Sequence, residues 1–271
     1  MIWQGYIEDR TEAGKDTARM VDAWKALGPV FSNLLPEHVN KRKCRSYASQ
    51  RTAGGSSIGT VWTELGYLRT AFNSAVKAGK IPQAPEMWLP EKPDPRDRHL
   101  TRAEARKLID AAVMPHVRLF IVLALTTAGR AGAILDLTWD RVDFERRRIA
   151  LHNPERSRTR KGRATVPIND TAFEALKAAK AHALSDHVIE WGGKPVKSVK
   201  KGIAATAARA GVDDVTPHVL RHSAAVWLIE GGEPIELVAQ YLGHTDVRTT
   251  FRIYARHSPE HMRTAAKALE I

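Results

Sequence analysis

Residues 218–254 read HVLRHSAAVWLIEGGEPIELVAQYLGHTDVRTTFRIY, and the reading of the whole chain turns on this stretch. Thr216 and Pro217 stand just before it as an N-cap followed by proline at the first helical position. A helix therefore starts here and runs to Gly231-Gly232. On it His218 and Arg221 are three residues apart and share a face. His244 follows in LGH, and Tyr254 comes ten residues later, after a polar segment TDVRTT that reads as a turn. The spacing brings two histidines, an arginine and a tyrosine towards one point.

Upstream, TTAGRAGAILDL supplies Arg130 where one apolar helix ends and a short helix, residues 130–137, begins. An arginine in such apolar surroundings needs an anionic partner. A structural carboxylate would serve, and so would a phosphate, which suits Arg130 and Arg221 together because the guanidinium fork holds non-bridging oxygens bidentately and stays protonated. His218 can exchange a proton with the Tyr254 phenol, which is mostly neutral at pH 7. His244 can donate a hydrogen bond to a phosphate oxygen. The set suits a phosphodiester attacked by a phenol, and so DNA breakage and rejoining. His218 and His222 also stand four apart like a helical metal pair, but HVLRH lacks the glutamate of HExxH and places an arginine between them.

The chain has 271 residues and a formal net charge of +12, an excess that points to a polyanion, nucleic acid foremost, over an inert basic surface. A single cysteine, Cys44, rules out an intrachain disulfide and a cysteine-rich zinc site, as fits a reducing cytoplasm. The start carries no basic-then-apolar signal pattern, and the most apolar stretch, residues 117–125, is too short for a bilayer. The expectation is a DNA-associated cytoplasmic protein with no membrane contact.

Residues 1–90 read as helices with polar breaks. They include an amphipathic helix over 11–26 ended near Gly28, a basic segment 37–51 that either tracks phosphates or faces water, and a long helix 58–78 closed by Gly79. Residues 91–98, inside LPEKPDPRDRHL, form a linker with the composition of an interdomain segment. A second domain, 99–271, opens on a Thr101/Glu104 capping box and continues with a buried apolar helix over 116–127. RRRIALH and ATVPI follow as strands flanking a basic hairpin, and helices return at 171–183 and 196–210. The hairpin 146–163 holds eight basic residues against one acidic residue; its one lysine, Lys161, can surrender a proton to a leaving 5′ oxygen or simply contact phosphate. The fold class is mainly α with a small β-sheet (α+β).

Together these pieces resemble the tyrosine recombinase (phage integrase) family. The matching segments are TTAGRAGAILDLTWDRVD, RTRKGRATVPI, HVLRHS and LGHTDVRTTFRIYARH, covering roughly residues 99–265; IGTVWTELGYLRTAFNSAVKAGKI is similar to the last long helix of the family's core-binding domain. The resemblance implies a helical core-binding domain followed by a catalytic domain, with no room for a further arm-binding domain. It implies that Tyr254 attacks the scissile phosphate to give a 3′-phosphotyrosyl link, with Arg130, Arg221 and His244 stabilising the transition state. Lys161 then protonates the leaving oxygen, and His218 handles the tyrosine proton. No ATP, metal or other cofactor is implied. The partners implied are double-stranded DNA, further copies in a homotetramer on two DNA sites, and DNA-bending accessory proteins. The tail 255–271 would dock on a neighbouring subunit or pack on its own core. Two features depart from the family pattern: Ala133 stands where many members carry a glutamate, leaving Asp136 to substitute, and Arg160 lies beside Lys161. Rival readings are a resolvase, a transposon recombinase, a type IB topoisomerase-like relaxer, a non-catalytic DNA-binding protein and a metal-dependent nuclease.

Overall fold

The computed structural model describes residues 2–94, 97–153, 164–254, 266–267 and 269–270. It divides into two compact units, Met1–Arg96 and Asp97–Ile271. The first holds α1 (Ile2–Glu12), α2 (Ala18–Phe31), α3 (Lys41–Ala53) and α4 (Ile58–Lys77). Asn40 and Ser57 cap α3 and α4 through their side chains, accepting from the Lys43 and Thr60 amides. Leu27, Tyr47, Val61, Leu65 and Leu68 pack the interior, and Met87, Trp88 and Leu89 lean on it. The helix expected over 11–26 is two helices instead: the chain breaks at 13–17, and α2 continues through Gly28 and Pro29 to Phe31. Burial of Leu27, Gly28 and Phe31 outweighs the helix-breaking tendency of glycine and proline there.

Near the start of the second unit lies Leu100, fully buried, whose amide donates to Ser223 Oγ (2.7 Å) and whose carbonyl accepts from Trp227 Nε1 (2.9 Å). The Thr101/Glu104 capping box then opens α5 (Arg102–Asp110). The buried helix α6 (Pro115–Thr127) forms the centre of the unit. The short α7 (Ala131–Leu135) follows, then an antiparallel sheet of β1 (Val142–Asp143), β2 (Arg148–Ala150) and β3 (Thr165–Pro167), in which Ile149 pairs with Val166. After α8 (Asp170–Ala181) come a second hairpin, β4 (Glu190–Trp191) with β5 (Lys194–Pro195), and α9 (Lys200–Ala210). The unit continues with α10 (Pro217–Glu230), α11 (Ile235–Leu242) and α12 (Val247–Tyr254). Gly202 lets α9 approach α6, since a Cβ there would meet Val117 Cγ2 at 2.6 Å. The segment TDVRTT is largely helix rather than turn, because Thr250 and Tyr254, four apart, both bury one face of α12. Among the described residues no helix is long and apolar enough to cross a membrane.

Candidate active site

Two chain reversals assemble the site. At the end of α6, Ala128 adopts a left-handed conformation (φ 48°), rare for a residue with a Cβ, and its carbonyl accepts from Arg221 Nη1 at 2.5 Å. Gly129 follows where a Cβ would meet Ile134 Cγ1 at 2.9 Å, so glycine is required to set Arg130 at the N-cap of α7. At the end of α11, Gly243 also turns left-handed (φ 61°). This presents the Leu242 carbonyl to Arg221 Nη2 (2.9 Å) and the Gly243 carbonyl to Arg130 Nη1 (3.4 Å). The LGH motif thus builds a cradle for both arginines before it delivers His244.

Arg221 is the fifth residue of α10 and is only 8 % exposed. Burial and the neighbouring Arg130 charge pull its pKa down to about 10, while Tyr254 opposes the shift. Among the described residues no carboxylate forms an ion pair with Arg221, whose partners are two carbonyls and a histidine. His244 Nε2 sits 3.2 Å from Arg221 Nη2, and its Nδ1 sits 2.7 Å from Thr250 Oγ1. A guanidinium only donates, so Nε2 accepts and the proton of the neutral ring lies on Nδ1, directed at Thr250. Burial first, then Arg221 and Arg130, hold the His244 pKa down to about 4. The donation to phosphate expected of His244 therefore requires a second proton, which an anion in the cleft would favour.

Arg130, Ala131, Lys200, Thr216, Pro217, His218, Arg221 and His244 line one open cleft of about 520 Å³. Its ionisable residues are all basic types, and it meets the N-terminal end of α10, whose amides and dipole add to the attraction for an anion. Tyr254 does not line it. The ring is 4 % exposed, packed with Ala128, Val226 and Leu242, and lies 5.2 Å from the His222 ring at 32°. Burial raises the Tyr254 pKa and Arg221 opposes the rise, so the phenol is protonated at neutral pH.

The phage integrase family model matches residues 98–261. The chain belongs to the phage integrase family. As a member it is a tyrosine recombinase, a site-specific recombinase class. It is 29 % identical over 229 residues to the integrase of Salmonella phage P22, covering 79 % of this chain and 58 % of that protein. The tyrosine recombinase XerA of Thermococcus onnurineus is also 29 % identical, over 220 residues, covering 74 % of this chain and 75 % of XerA. The fold matches the Tn1549 transposon integrase in complex with a circular-intermediate DNA (TM-score 0.81, 17 % identity, 99 % of each chain). It also matches a lambda integrase dimer bound to a COC′ core site (TM-score 0.73, 17 % identity, 93 % of this chain and 75 % of that one).

In this recombinase the structure brings Arg130, His218, Arg221 and His244 together on the cleft and sets Tyr254 beside His222 in the adjoining core. Lys161, Arg160 and most of the tail 255–271 lie outside the described residues. Ala133 is buried in α7, and the Asp136 carboxylate accepts from Asn153 Nδ2 at 2.9 Å. Sequence reasoning missed three contributors. Lys200 reaches the cleft from the start of α9, with only its place in a lysine-rich run (Lys197, Lys200, Lys201) as a signal. Thr250 fixes the His244 ring, and the helical spacing of Thr250 and Tyr254 held that clue. His222, dismissed with the HVLRH metal pair, backs Tyr254. Among the described residues one group of three could hold a metal ion: Asp97, His99 and His222.

Proposed function

We propose that this chain cleaves and rejoins double-stranded DNA at specific sites through a covalent link between Tyr254 and a 3′ phosphate. The observation that carries the reading is Arg221, buried and, among the described residues, paired with no carboxylate, on a cleft whose described ionisable residues are all basic types. A scissile phosphate there takes the Arg221 and Arg130 donors in place of backbone carbonyls, and its charge favours a doubly protonated His244. Lys200 adds a further cation. The Tyr254 oxygen attacks phosphorus, and the bond to the 5′ oxygen breaks. His218 accepts the phenolic proton and Lys161 supplies one to the leaving oxygen. Attack by another 5′ hydroxyl reverses these transfers and rejoins the strands, the bond energy being kept in the phosphotyrosyl link. Because Tyr254 is packed away from the cleft, α12 must shift to deliver it, which makes this short helix the gating element.

Residues 1–90 serve as the helical core-binding DNA domain, 91–98 as linker and 99–271 as the catalytic domain. Arg42, Lys43 and Arg45 are exposed on α3 and offer phosphate contacts, whereas Tyr47 and Arg51 turn inward. The reaction runs in a homotetramer spanning two DNA sites, assisted by DNA-bending proteins, in the cytoplasm of a bacterial host. Covalent capture tests the chemistry. Wild type and Tyr254→Phe are incubated with nicked genomic duplexes in EDTA, and adducts that survive detergent are isolated and sequenced. An adduct formed by wild type alone is expected and reveals the core site. An adduct that persists in Tyr254→Phe overturns the assignment of the nucleophile, and a requirement for added metal overturns the mechanism.

A further inference from the structure

Leu100 is pinned to α10 by both of its backbone groups, through Ser223 and Trp227. The three residues before it therefore run alongside that helix. Arg98 binds Glu104 at 2.7 Å, with a further hydrogen bond to the Asp213 carbonyl. Asp97 and His99, two residues apart in this non-helical segment, both approach His222 of α10. One ligand atom from each of Asp97, His99 and His222 lies within 4.8 Å of the other two. His222 is the buried member, 5 % exposed, and its Nε2 lies 3.5 Å from Asp97 Oδ1.

That separation is informative. A charge-assisted N–H···O bond closes to about 2.7–2.9 Å. The edge of a tetrahedron built on zinc bonds of about 2.0–2.1 Å is about 3.3 Å, close to the His222–Asp97 spacing. Two imidazoles and a carboxylate match zinc-type ions and leave a position for water. Two arginines neighbour the ligands in sequence: Arg98 is tied to Glu104 and the Asp213 carbonyl, and the Arg221 guanidinium is turned to the Ala128 and Leu242 carbonyls, while the Asp97 charge opposes both.

We propose that Asp97, His99 and His222 form a binding site for a zinc-type divalent cation, separate from the phosphate cleft. The site adjoins the proposed nucleophile: the His222 ring stands 5.2 Å from the Tyr254 ring. An ion on His222 locks the surface against which Tyr254 rests, holds α12 in place and slows cleavage. This second consequence rests on the reading of Tyr254 as the nucleophile, whereas the site itself does not.

The test uses the full chain, stripped with chelator and dialysed, then titrated with zinc chloride by calorimetry and followed by thermal denaturation. Because the chain has 11 histidines, the decisive comparison is with His99→Ala and Asp97→Asn, neither of which lies on the phosphate cleft. The expected result is a site in wild type that weakens by at least about tenfold in each variant, together with a zinc-dependent rise in Tm seen only in wild type. Equal affinity, stoichiometry and Tm response in all three proteins overturns the site. In the covalent-capture assay run without EDTA, zinc should slow wild-type adduct formation by at least about fivefold and leave His99→Ala unchanged, a difference of about 1 kcal/mol in barrier. Equal rates with and without zinc overturn the link to Tyr254. An adduct missing even from metal-free wild type counts against Tyr254 as nucleophile, and the titration still decides the site.

Discussion

Each unit of this recombinase draws an arginine against its core, and the two are answered differently. In the first unit Arg51 on α3 meets Glu64 of α4, with Nη2–Oε1 at 2.7 Å and Nε–Oε2 at 3.1 Å, while the Tyr47 hydroxyl donates to the same carboxylate at 2.6 Å. Glu64 raises the Arg51 pKa, and burial together with Glu64 pushes the Tyr47 phenol well up. In the second unit Arg221 meets carbonyl dipoles and a neutral histidine, and its pKa falls to about 10. A carboxylate completes the first cluster electrically, whereas among the described residues no carboxylate pairs with Arg221 in the second. On the proposed function, the difference separates an arginine that helps hold the fold from one kept for a phosphate, although both sit on helices.

The largest effect expected from this contrast is at Arg221. Arg221→Met should cut the rate of DNA adduct formation by about 100- to 1000-fold, the range for loss of one preorganised donor. Its stability should stay within about 1 kcal/mol of wild type, because removing an unneutralised buried charge offsets the two lost carbonyl hydrogen bonds. Adduct kinetics and urea denaturation check the two halves. A Met variant that unfolds readily would make Arg221 a structural residue like Arg51 and break the comparison.

Glu64→Ala should do the opposite, costing about 2–3 kcal/mol by stranding Tyr47 and Arg51, somewhat less than a fully buried pair because the Arg51 side chain is 32 % exposed. Hydrogen exchange should place that loss in α3 and α4, with the α10 amides protected as before. A smaller change is expected from Thr250→Val, which removes the oxygen that orients His244 Nδ1. The expected cost is about 1 kcal/mol, read as an adduct rate lowered several-fold with Tm nearly unchanged.

The mildest effect concerns pH. His244 titrates near 4 in the folded chain against 6.5 unperturbed. Above pH about 6.5 both states are neutral and its contribution to stability is fully present. As pH falls from there towards 4 the unfolded state takes up a proton that the folded state resists, and stability declines. Denaturation midpoints followed across this window should fall less steeply in His244→Gln. Phosphate in the cleft should flatten the wild-type slope as well, by favouring the charged ring in the folded state. An unchanged slope in His244→Gln would place the acid-sensitive group elsewhere.

Much of the site was legible because its residues sit at local signals. Thr216-Pro217 announces α10, Gly129-Arg130 and Leu242-Gly243-His244 mark reversals, and Thr101/Glu104 opens α5. Where local signals conflicted, packing decided. Gly28 and Pro29 read as a stop yet lie within α2, and the polar run TDVRTT reads as a turn yet mostly forms α12. The basic segment 37–51 read uniformly as a face for phosphate or water, but Tyr47 and Arg51 point inward to Glu64, 13 to 17 residues further on. Periodicity along α3 does not record that partner.

Charge, order and spacing in the sequence pointed to the proposed chemistry: two arginines, two histidines and a tyrosine at intervals that suit phosphoryl transfer, on a strongly basic chain. These are properties of residue type and of short helical geometry, which need no distant contact. Tertiary structure alone decided which groups answer which. It gave Arg221 carbonyls instead of a carboxylate, made His244 an acceptor, brought Lys200 to the cleft, and packed Tyr254 against His222 out of the cleft lining. Each of those outcomes depends on the distance between atoms far apart in the chain, and burial then sets their charge states. Desolvation and Coulomb interactions depend on that distance and on the surrounding medium, neither of which is written in local sequence.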